Sequence, residues 1–555
     1  MNRPGVIAGA VALGVVLVVG AVLLLRDGDG NSELVSTTAV TGAAPERAYP
    51  ELRVAMDNGI DYLDPGLAYT VQGWSVMFPV HLGLLTYRPV SGPDGATLIP
   101  ALAESMPAIS ADRRRYRFTL REGLRYSNGQ QVRASDFAST VERLFMINSP
   151  GAGFFRGIEG ADEFADTEQG DISGIAVDDA ERSIEITLEE PQGDFLHVLA
   201  TMFGAIVPAG TPDRDQSEER IPATGPYMIQ SYDPSERVTL ARNPEWEGID
   251  GIPDGNPDSM IFTVVDDPSA ALDSVLDGDN DYDFHQVPSD RLAEIRADHA
   301  GRLRLYTPAN VYYYFLNTRE APFDRLEVRQ AVNHAIDRRE IAKLYEGLAT
   351  PTQNVLPPSY PQYRKIEPYG YDLEKARTLV RESGYAGTSV TVWGNSRETI
   401  RAPARYLVDV LNDIGLEAKL KIVDPAVYLS TIGDQRTRAQ TGVANWFLQD
   451  YPHPYSWFQP LVSGSAITER NNTNLSNADV PEIDAKIEDL ADEELTDEVN
   501  EEWAEVDRLV LENALWAPLV NRQFTDFFGD DMDLDSCYVS HVLYQFLYAT
   551  SCKND

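Results

Sequence analysis

The chain has 555 residues, which is too many for one hydrophobic core, so two or three domains are expected. Its 43% of hydrophobic residues indicates a globular protein, and 87 acidic against 46 basic residues give a net charge of −41. That balance argues against nucleic-acid binding, which needs a basic face. It does not identify a cationic ligand, because acidic residues scattered along a chain are usually a solvated surface.

The N-terminal segment is apolar. Residues 6–25 carry no charge, and as a helix rising about 1.5 Å per residue they would cross a bilayer core of about 30 Å. Arg26, Asp27 and Asp29 follow directly, with no convincing cleavage site behind the apolar stretch. We therefore predict a retained single-pass transmembrane anchor at 6–25, with a cleaved signal segment as the alternative. Residues 1–5 would be a short cytoplasmic N-terminus, and the acidic body would lie outside the cell.

Residues 26–48 are rich in Gly, Ser, Thr and Ala and lack aromatic residues, which predicts a flexible linker. In the body, apolar residues recurring at every second position predict strands. The first predicted strands lie at residues 52–56, 116–120 and 184–188. Ser135 is the predicted N-cap of a helix whose apolar face begins at Phe137.

The second half of the chain alternates helix and strand signals. Asp324 and Glu327 stand three apart like a capping box before an apolar repeat. The predicted segments are a helix from Asp324 to Gly347, a helix from Asp372 to Gly384, a strand over 390–393 and a helix that ends at Gly415. From about residue 301 onward this order favours an α/β lobe with a partly parallel sheet.

The segment 445–458, NWFLQDYPHPYSWF, concentrates aromatic residues. Six of its 14 residues are aromatic, against 9% of the whole chain, and Asp450 is its single acid. Pro452 and Pro454 predict an ordered loop. Composition alone supports two hypotheses equally well. The loop packs on a core with Asp450 capping a turn, or it lines a pocket for a ligand with flat or apolar parts and one positive group.

No catalytic signature is present in the sequence. It contains no zinc-protease motif, nucleophile elbow or P-loop, and no histidine stands at metal-ligand spacing from another His or Cys. We therefore predict neither an enzyme nor a cofactor or metal site. His453, between two prolines, is better explained as a hydrogen-bonding loop residue than as a ligand contact. Cys537 and Cys552 predict a disulfide, with two free thiols as the alternative.

An ordered series of segments carries a family resemblance. The chain resembles the oligopeptide/dipeptide-binding family (family 5) of extracytoplasmic solute-binding proteins of ABC transporters. The matching segments are YLDP (62–65), HLGLLTY (81–87), LIPALAES (98–105), RRYRFTLREGLRYSNGQQVRASDF (114–137), ATGPYMI (223–229), ARNPEW (241–246), YYYFLNTREAPFDRLEVRQAVNHAIDRREI (312–341) and YDLEKARTLVRESGY (371–385). Segment 445–458 completes the series.

The resemblance implies a fold. It is the α/β, two-lobe, periplasmic-binding-protein-like (type II) fold with an extra subdomain, here preceded by the N-terminal transmembrane helix. Lobe I would combine 49–88, 222–300 and 521–555, the subdomain inserted in it would be 89–221, and lobe II would be 301–520. Ligand would be buried in the cleft as the lobes close.

The resemblance also implies site residues. The family's W-x-x-D-Y segment supplies an aspartate for a peptide's α-ammonium group, and Asp450–Tyr451 matches its D-Y. Trp446 stands four residues before Asp450 instead of three, so either Phe447 replaces the tryptophan or one residue is inserted, and Gln449 stands where a small residue is usual. The predicted ligand-binding residues are Asp450, Trp446, Phe447, Tyr451, Asn445, Tyr69, Thr70, Val71 and Tyr428.

Their implied roles differ. The backbone of Tyr69, Thr70 and Val71, just after L-D-P, would pair with an extended peptide, and Tyr428 would be a stacking wall. Arg397 and Arg401 are better explained as surface helix charges than as contacts to a ligand carboxylate.

The implied function is the extracytoplasmic substrate-binding component of an ABC importer, which delivers peptides to a permease and its ATPase subunits. We expect a monomer on the cell membrane. The alternatives are an oligosaccharide, a metal chelate or another solute in the same fold, or an extracellular hydrolase that has borrowed it.

Overall fold

The computed structural model describes residues 49–57, 59–234, 236–447, 450–543 and 551–553. The predicted N-terminus 1–5, anchor 6–25 and linker 26–48 lie outside these residues, as does Gln449. In the described ranges no helix has the length and apolar character needed to cross a membrane.

Strands recur throughout the described chain. They are β1 (Tyr49–Met56), β2 (Leu85–Tyr87), β3 (Leu98–Pro100), β4 (Ala108–Ile109), β5 (Arg115–Thr119), β6 (Ile175–Asp178), β7 (Ser183–Thr187), β8 (Tyr227–Asp233), β9 (Arg237–Arg242), β10 (Pro257–Val264), β11 (Tyr282–Asp283), β12 (Leu303–Tyr306), β13 (Asn310–Leu316), β14 (Ala349–Pro351), β15 (Ser389–Asn395), β16 (Glu417–Val423), β17 (Thr441–Phe447), β18 (Trp516–Arg522) and β19 (Phe524–Phe528).

Helices are longest in the second half. They are α1 (Val71–Met77), α2 (Ala134–Met146), α3 (Ala161–Thr167), α4 (Phe195–Val198), α5 (Pro268–Leu276), α6 (Leu292–Asp298), α7 (Leu326–Ala335), α8 (Arg338–Lys343), α9 (Leu373–Ser383), α10 (Glu398–Asp413), α11 (Tyr428–Ile432), α12 (Pro454–Val462), α13 (Pro481–Ala491), α14 (Asp497–Glu512) and α15 (Leu534–Cys537).

The first lobe is built on a seven-stranded sheet of order β12-β19-β11-β1-β10-β9-β8. β1 runs parallel to β10 and β11, while β19 is antiparallel to both β11 and β12. The parallel strands β1, β11 and β12 therefore all end at one edge of this sheet. A separate antiparallel sheet of order β4-β5-β7-β6 packs with α2 around its own core, in the segment predicted to be the inserted subdomain.

The second lobe is built on a six-stranded sheet of order β14-β18-β13-β17-β15-β16. β15 is parallel to β16 and β17, and β13 is antiparallel to β17 and β18. Thus β15, β16, β17 and β18 all run in one direction and end at the same edge. This agrees with the partly parallel sheet predicted from the alternating sequence pattern.

The chain crosses between the lobes twice, at the carboxyl edges of both sheets. It leaves β12 at Tyr306 and enters β13 at Asn310, and it leaves β18 at Arg522 and enters β19 at Phe524. The predicted lobe II limits of 301 and 520 differ by a few residues, because β12 continues the first sheet beside β19 and β18 reaches Arg522 in the second. Ligands of α/β sheets bind outside such carboxyl ends, so these edges face the candidate cleft.

The local signals at Asp372 and Gly384 correctly delimit α9. Asp372 caps α9 by accepting from Lys375 N at 2.9 Å, and Gly384 ends the helix with φ +80°. The single helix predicted from Asp324 to Gly347 is wrong. α7 stops at Ala335, and Asp337 begins α8 by accepting from Arg339 N at 3.0 Å.

Two other predicted features are corrected by contacts. Ser135 is not an N-cap, because α2 already begins at Ala134 and the Ser135 N–H and hydroxyl bond the Asp179 carboxylate at 2.9 and 3.0 Å. Segment 445–458 is not one loop. It includes the end of β17 and the start of α12, where Pro454 occupies a first-turn position that needs no N–H donor.

The predicted disulfide joins Cys537 and Cys552, whose Cα atoms are 5.8 Å apart. Both cysteines are buried in the core of the first lobe, beside Tyr49 and Phe528. The bond therefore fixes the C-terminal tail to that core.

Candidate functional site

One contact joins the two lobes at the predicted ligand site. The Tyr69 hydroxyl, from the loop after β1, donates to Asp450 Oδ1 at 2.8 Å. Asp450 follows the carboxyl end of β17 by three residues. The structure thus brings together two residues predicted from sequence to lie on opposite walls of the cleft.

Asp450 is a half-buried carboxylate, and a single described hydrogen bond compensates for its lost hydration. Burial raises its pKa, and the Tyr69 hydrogen bond opposes that shift. Its Oδ2 makes no hydrogen bond to the residues that the structure describes. By contrast, the buried Asp64 binds the Arg143 guanidinium through both oxygens at 2.9 and 2.6 Å. Asp507 accepts from the Asn354 amide and two main-chain N–H groups.

Asp61 holds the loop that carries Tyr69. Its carboxylate accepts from Tyr69 N at 2.7 Å and from Thr70 Oγ1 at 2.8 Å. Thr70 is also the N-cap of α1, since its Oγ1 accepts from Gly73 N and its carbonyl from Trp74 N. The Tyr69 amide and the Thr70 carbonyl are therefore occupied within the loop.

This arrangement corrects the expected backbone role. With Val71 already the first residue of α1, the three residues Tyr69 to Val71 do not form an extended edge for a peptide. Tyr69 instead offers its side chain, which is 47% exposed. Sequence reasoning missed Asp61, because nothing local distinguishes it from the many other acids of the chain.

Tyr451 is an interlobe contact. It is 5% exposed, and its hydroxyl donates to Asp194 Oδ2 of the first lobe at 2.6 Å. Its ring stacks on His197, with centroids 6.1 Å apart and planes at 27°. The predicted ligand contact through Tyr451 is therefore wrong, because the side chain is enclosed by the opposite lobe.

The predicted role of Tyr428 in the ligand site is also wrong. Its side chain is 2% exposed, and its hydroxyl donates to the carbonyls of Trp393 and Val443 at 3.0 and 2.7 Å. It is a core residue beneath the second sheet and not a stacking wall.

The remaining predicted residues of the second lobe lie on β17. Asn445 is half-buried and in register with Tyr312 of β13, while Trp446 and Phe447 pair with Val311 and Asn310. The side chains of Trp446 and Phe447 lie outside the described part of the structure. The backbone nevertheless places all three residues at the carboxyl end of β17.

His453 is a hydrogen-bonding residue, as predicted. Its Nδ1 accepts from Tyr455 N at 3.2 Å and caps α12. Complete burial lowers its pKa to about 3, and the same cause lowers the pKa of His197 to about 3. The two rings lie 5.4 Å apart across the lobes. Both rings are therefore neutral in the structure.

Further contacts hold the lobes together beside this cluster. Gly193 N of the subdomain donates to Ala491 O of the second lobe at 2.8 Å, and a Cβ at Gly193 would lie 2.5 Å from that oxygen. Arg113 forms two hydrogen bonds with the Glu493 carboxylate at 2.8 and 3.0 Å. In the described residues no group of His, Cys, Asp and Glu is arranged to hold a metal ion.

Comparison with known proteins identifies the family. Residues 97–469 match the model of bacterial extracellular solute-binding proteins, family 5 (middle region). The chain belongs to this family. It is accordingly a non-catalytic, extracytoplasmic substrate-binding protein of an ABC importer.

Three similar proteins span most of the chain. The heme-binding protein A of Haemophilus influenzae is 27% identical over 456 residues, covering 76% of this chain and 78% of that protein. The glutathione-binding protein GsiB of Salmonella typhi is 24% identical over 499 residues, covering 86% and 90%. The structure of clavulanic acid biosynthesis oligopeptide binding protein 2 superposes with a TM-score of 0.79 at 25% identity, covering 88% of this chain and 93% of that one.

Proposed function

We propose that this family 5 member binds short peptides in the cleft between its lobes and delivers them to a permease. Asp450 accepts the α-ammonium group of the peptide. The similar oligopeptide-binding protein supports a peptide ligand, and the D-Y match supports the role of Asp450.

The observation that carries this proposal is the burial and hydrogen bonding of the Asp450 carboxylate. Its carboxylate is half-buried at the carboxyl end of a strand, has one neutral donor and leaves Oδ2 free of described partners. A buried carboxylate is stabilised most by a cationic donor, which forms the stronger charge-assisted hydrogen bond. A peptide ammonium group at Oδ2 supplies that donor while the Tyr69 bond to Oδ1 persists.

Contacts of this kind can supply the binding free energy of a micromolar complex. A micromolar Kd corresponds to about −8 kcal/mol. A hydrogen bond to a charged group contributes about 1.5–3 kcal/mol. Main-chain hydrogen bonds and apolar contacts within the cleft provide the rest, and such contacts tolerate varied peptide side chains.

The wider organisation follows from the same proposal. The first lobe comprises the segments from 49 to 88 and from 222 to about 306 with the chain from about 523 onward, the second lobe comprises about 307–522, and the subdomain 89–221 is inserted in the first. A single-pass anchor at 6–25 and a linker at 26–48 tether a monomer to the outer face of the cell membrane. Asn445, Trp446 and Phe447 line the second wall of the cleft.

Calorimetry on the soluble body, residues 49–555, tests the proposal. The ligands are trialanine, trileucine, glutathione, heme and cellotriose, chosen because relatives of different solute classes share this fold. We expect micromolar binding of at least one tripeptide and none of cellotriose. Glutathione also carries a free ammonium group, so its binding is compatible with the same anchor. Binding of heme or cellotriose with no tripeptide binding would overturn the peptide proposal.

A further inference from the structure

Two buried histidines lie where the inserted subdomain meets the second lobe. His197 belongs to α4 of the subdomain, and His453 is the residue before α12 of the second lobe. Their ring centroids are 5.4 Å apart, His197 is 6% exposed and His453 is fully buried. Each ring is therefore part of the surface that shields the other from water, and this shielding exists only while the lobes are in contact.

His453 has no acceptor to offer a charged neighbour. Its Nδ1 accepts from Tyr455 N at 3.2 Å and caps α12, so its own proton lies on Nε2. Nε2 is buried and has no hydrogen-bond partner among the described residues. A protonated His197 would therefore face a neutral ring whose one acceptor nitrogen is already bound.

The carboxylate that faces His197 is bound by other donors. Asp194 Oδ2 accepts from the Tyr451 hydroxyl at 2.6 Å, and Oδ1 accepts from the Gln192 amide at 2.8 Å. Burial and His453 lower the pKa of His197 to about 3, and Asp194 opposes this shift without reversing it. The closed structure therefore keeps His197 neutral although an acid lies near it.

The other titratable groups at these two rings are tyrosines. The Tyr87 hydroxyl lies 3.0 Å from His197 Nδ1, and the Tyr451 ring stacks on His197 with planes at 27°. Burial raises the pKa of both hydroxyls well above the usual value, so neither forms an anion that could neutralise an imidazolium ion. On its other side, His453 packs on the uncharged ring of Trp503. Among the described groups that contact the two rings, none is an anion with a free oxygen.

We propose that closure of the two lobes is acid-sensitive through His197, whose protonation releases the subdomain from the second lobe. This inference concerns closure itself and holds for any solute in the cleft. Opening takes Tyr451 and His453 away from His197, whose ring then meets water and titrates near the ordinary pKa of about 6.5. Below that pH the open form binds a proton that the closed form excludes. The ratio of open to closed protein therefore rises about tenfold per pH unit.

The other contacts between the lobes persist at mildly acidic pH. The hydrogen bond from Gly193 joins main-chain groups, and Arg113 lowers the pKa of the Glu493 carboxylate that it binds. Burial raises the pKa of Asp450, but a protonated carboxyl still offers its carbonyl oxygen to the Tyr69 hydroxyl. Opening between about pH 6.5 and 5 is therefore attributable to His197.

Small-angle scattering of the ligand-free soluble body, residues 49–555, tests the proposal, because this part of the chain contains both sheets and their cores. The radius of gyration of the wild-type protein is expected to rise between about pH 7.5 and 5, with an unchanged far-UV circular dichroism spectrum. His197→Gln is expected to keep one radius throughout. His81→Gln is the matched control, since His81 is also buried but lies within the first lobe, and this variant is expected to expand like the wild-type protein.

Three results would overturn the assignment. They are a wild-type radius that stays constant over this range, a His197→Gln variant that expands like the wild-type protein, and an expansion accompanied by loss of circular dichroism, which shows unfolding instead of opening. If His197→Gln does not fold, His197→Phe provides the same comparison, because it keeps a ring against Tyr451 and takes up no proton. Expansion of His197→Phe at about pH 5 would equally overturn the assignment.

Discussion

The Tyr69 hydroxyl of one lobe donates to Asp450 Oδ1 of the other at 2.8 Å. Asp450 Oδ2 has no described partner, and Asp450 lies three residues beyond the carboxyl end of β17. A cleft carboxylate that has a neutral donor on one side and space on the other is suited to a cationic group. The proposed peptide anchor follows from that relationship.

Replacing Asp450 by asparagine should weaken tripeptide binding. The loss of a charge-assisted bond of about 1.5–3 kcal/mol corresponds to an affinity about 10- to 150-fold lower. Asp409→Asn is the matched control, since Asp409 is exposed on α10. Calorimetry with trialanine measures both variants. Equal affinity of Asp450→Asn and Asp409→Asn would argue against the anchor.

Peptide affinity should fall on acidification in a range set by Asp450. Burial raises the pKa of the free carboxylate above its usual value, and a bound ammonium group lowers it. Binding is therefore strongest above the pKa of the free protein and is lost as pH falls towards the pKa of the complex. Titrations between about pH 4 and 7 should show this loss in the wild-type chain. A pH profile of Asp450→Asn with the same slope would contradict it.

Replacing Tyr451 by phenylalanine should loosen the contact between the lobes. It leaves Asp194 Oδ2 buried without its donor, which costs about 1–3 kcal/mol. We expect a larger radius of gyration by small-angle scattering. Tyr455→Phe is the control, because the half-buried Tyr455 hydroxyl has no described hydrogen bond. An unchanged scattering profile in Tyr451→Phe would show that this bond does not hold the lobes together.

Breaking the disulfide should destabilise the first lobe. Cys537 and Cys552 are 15 residues apart, and closing a loop of that size stabilises a fold by about 3 kcal/mol. Replacement of both cysteines by serine should lower the free energy of unfolding by about that amount in urea titrations. A reducing agent should destabilise the wild-type chain and leave the double variant unchanged. The role is contradicted if neither the reducing agent nor the double replacement lowers the free energy of unfolding.

The free energy of unfolding should decline below about pH 6. Buried histidines whose pKa is lowered outnumber buried acids whose pKa is raised. Burial lowers the pKa of His81, His197 and His453 to about 3 and of His541 to about 4. The unfolded chain therefore binds these protons first, which destabilises the fold as pH falls through about 6.5.

Asp507 and Asp526 act in the opposite direction. Their pKa values are raised to about 6, so the folded chain takes up their protons first and gains stability as pH falls to about 4. Burial also raises the pKa of Asp283, which acts in the same direction as Asp507 and Asp526. The four histidines still outnumber these three acids, so the fold loses stability as pH falls near 5. Urea titrations at several pH values measure the slope. Stability that is flat or rises between about pH 6 and 5 would contradict this balance.

The sequence predicted structure best where the signals were local. Asp372 and Gly384 delimit α9 because a side-chain cap and a left-handed glycine act within their own helix. The family segments, in order, predicted the two-lobe fold. In contrast, the start of segment 445–458 becomes a strand only through pairing with β13, more than 100 residues earlier, which no local pattern reveals.

The site was predicted in part for the same reason. Asp450 and Tyr69 were both predicted, yet their direct bond depends on how two distant lobes meet. Tyr451 was assigned to the ligand from the D-Y match alone, and its actual partner Asp194 lies 257 residues away in sequence, where no local pattern reveals it.

The most direct test of peptide binding through Asp450 compares trialanine with N-acetyl-trialanine on the wild-type chain by calorimetry. Acetylation removes the ammonium group and leaves the rest of the peptide unchanged. The account predicts micromolar binding of the free peptide and at least about tenfold weaker binding of the acetylated one. Equal affinities would contradict an ammonium anchor at Asp450.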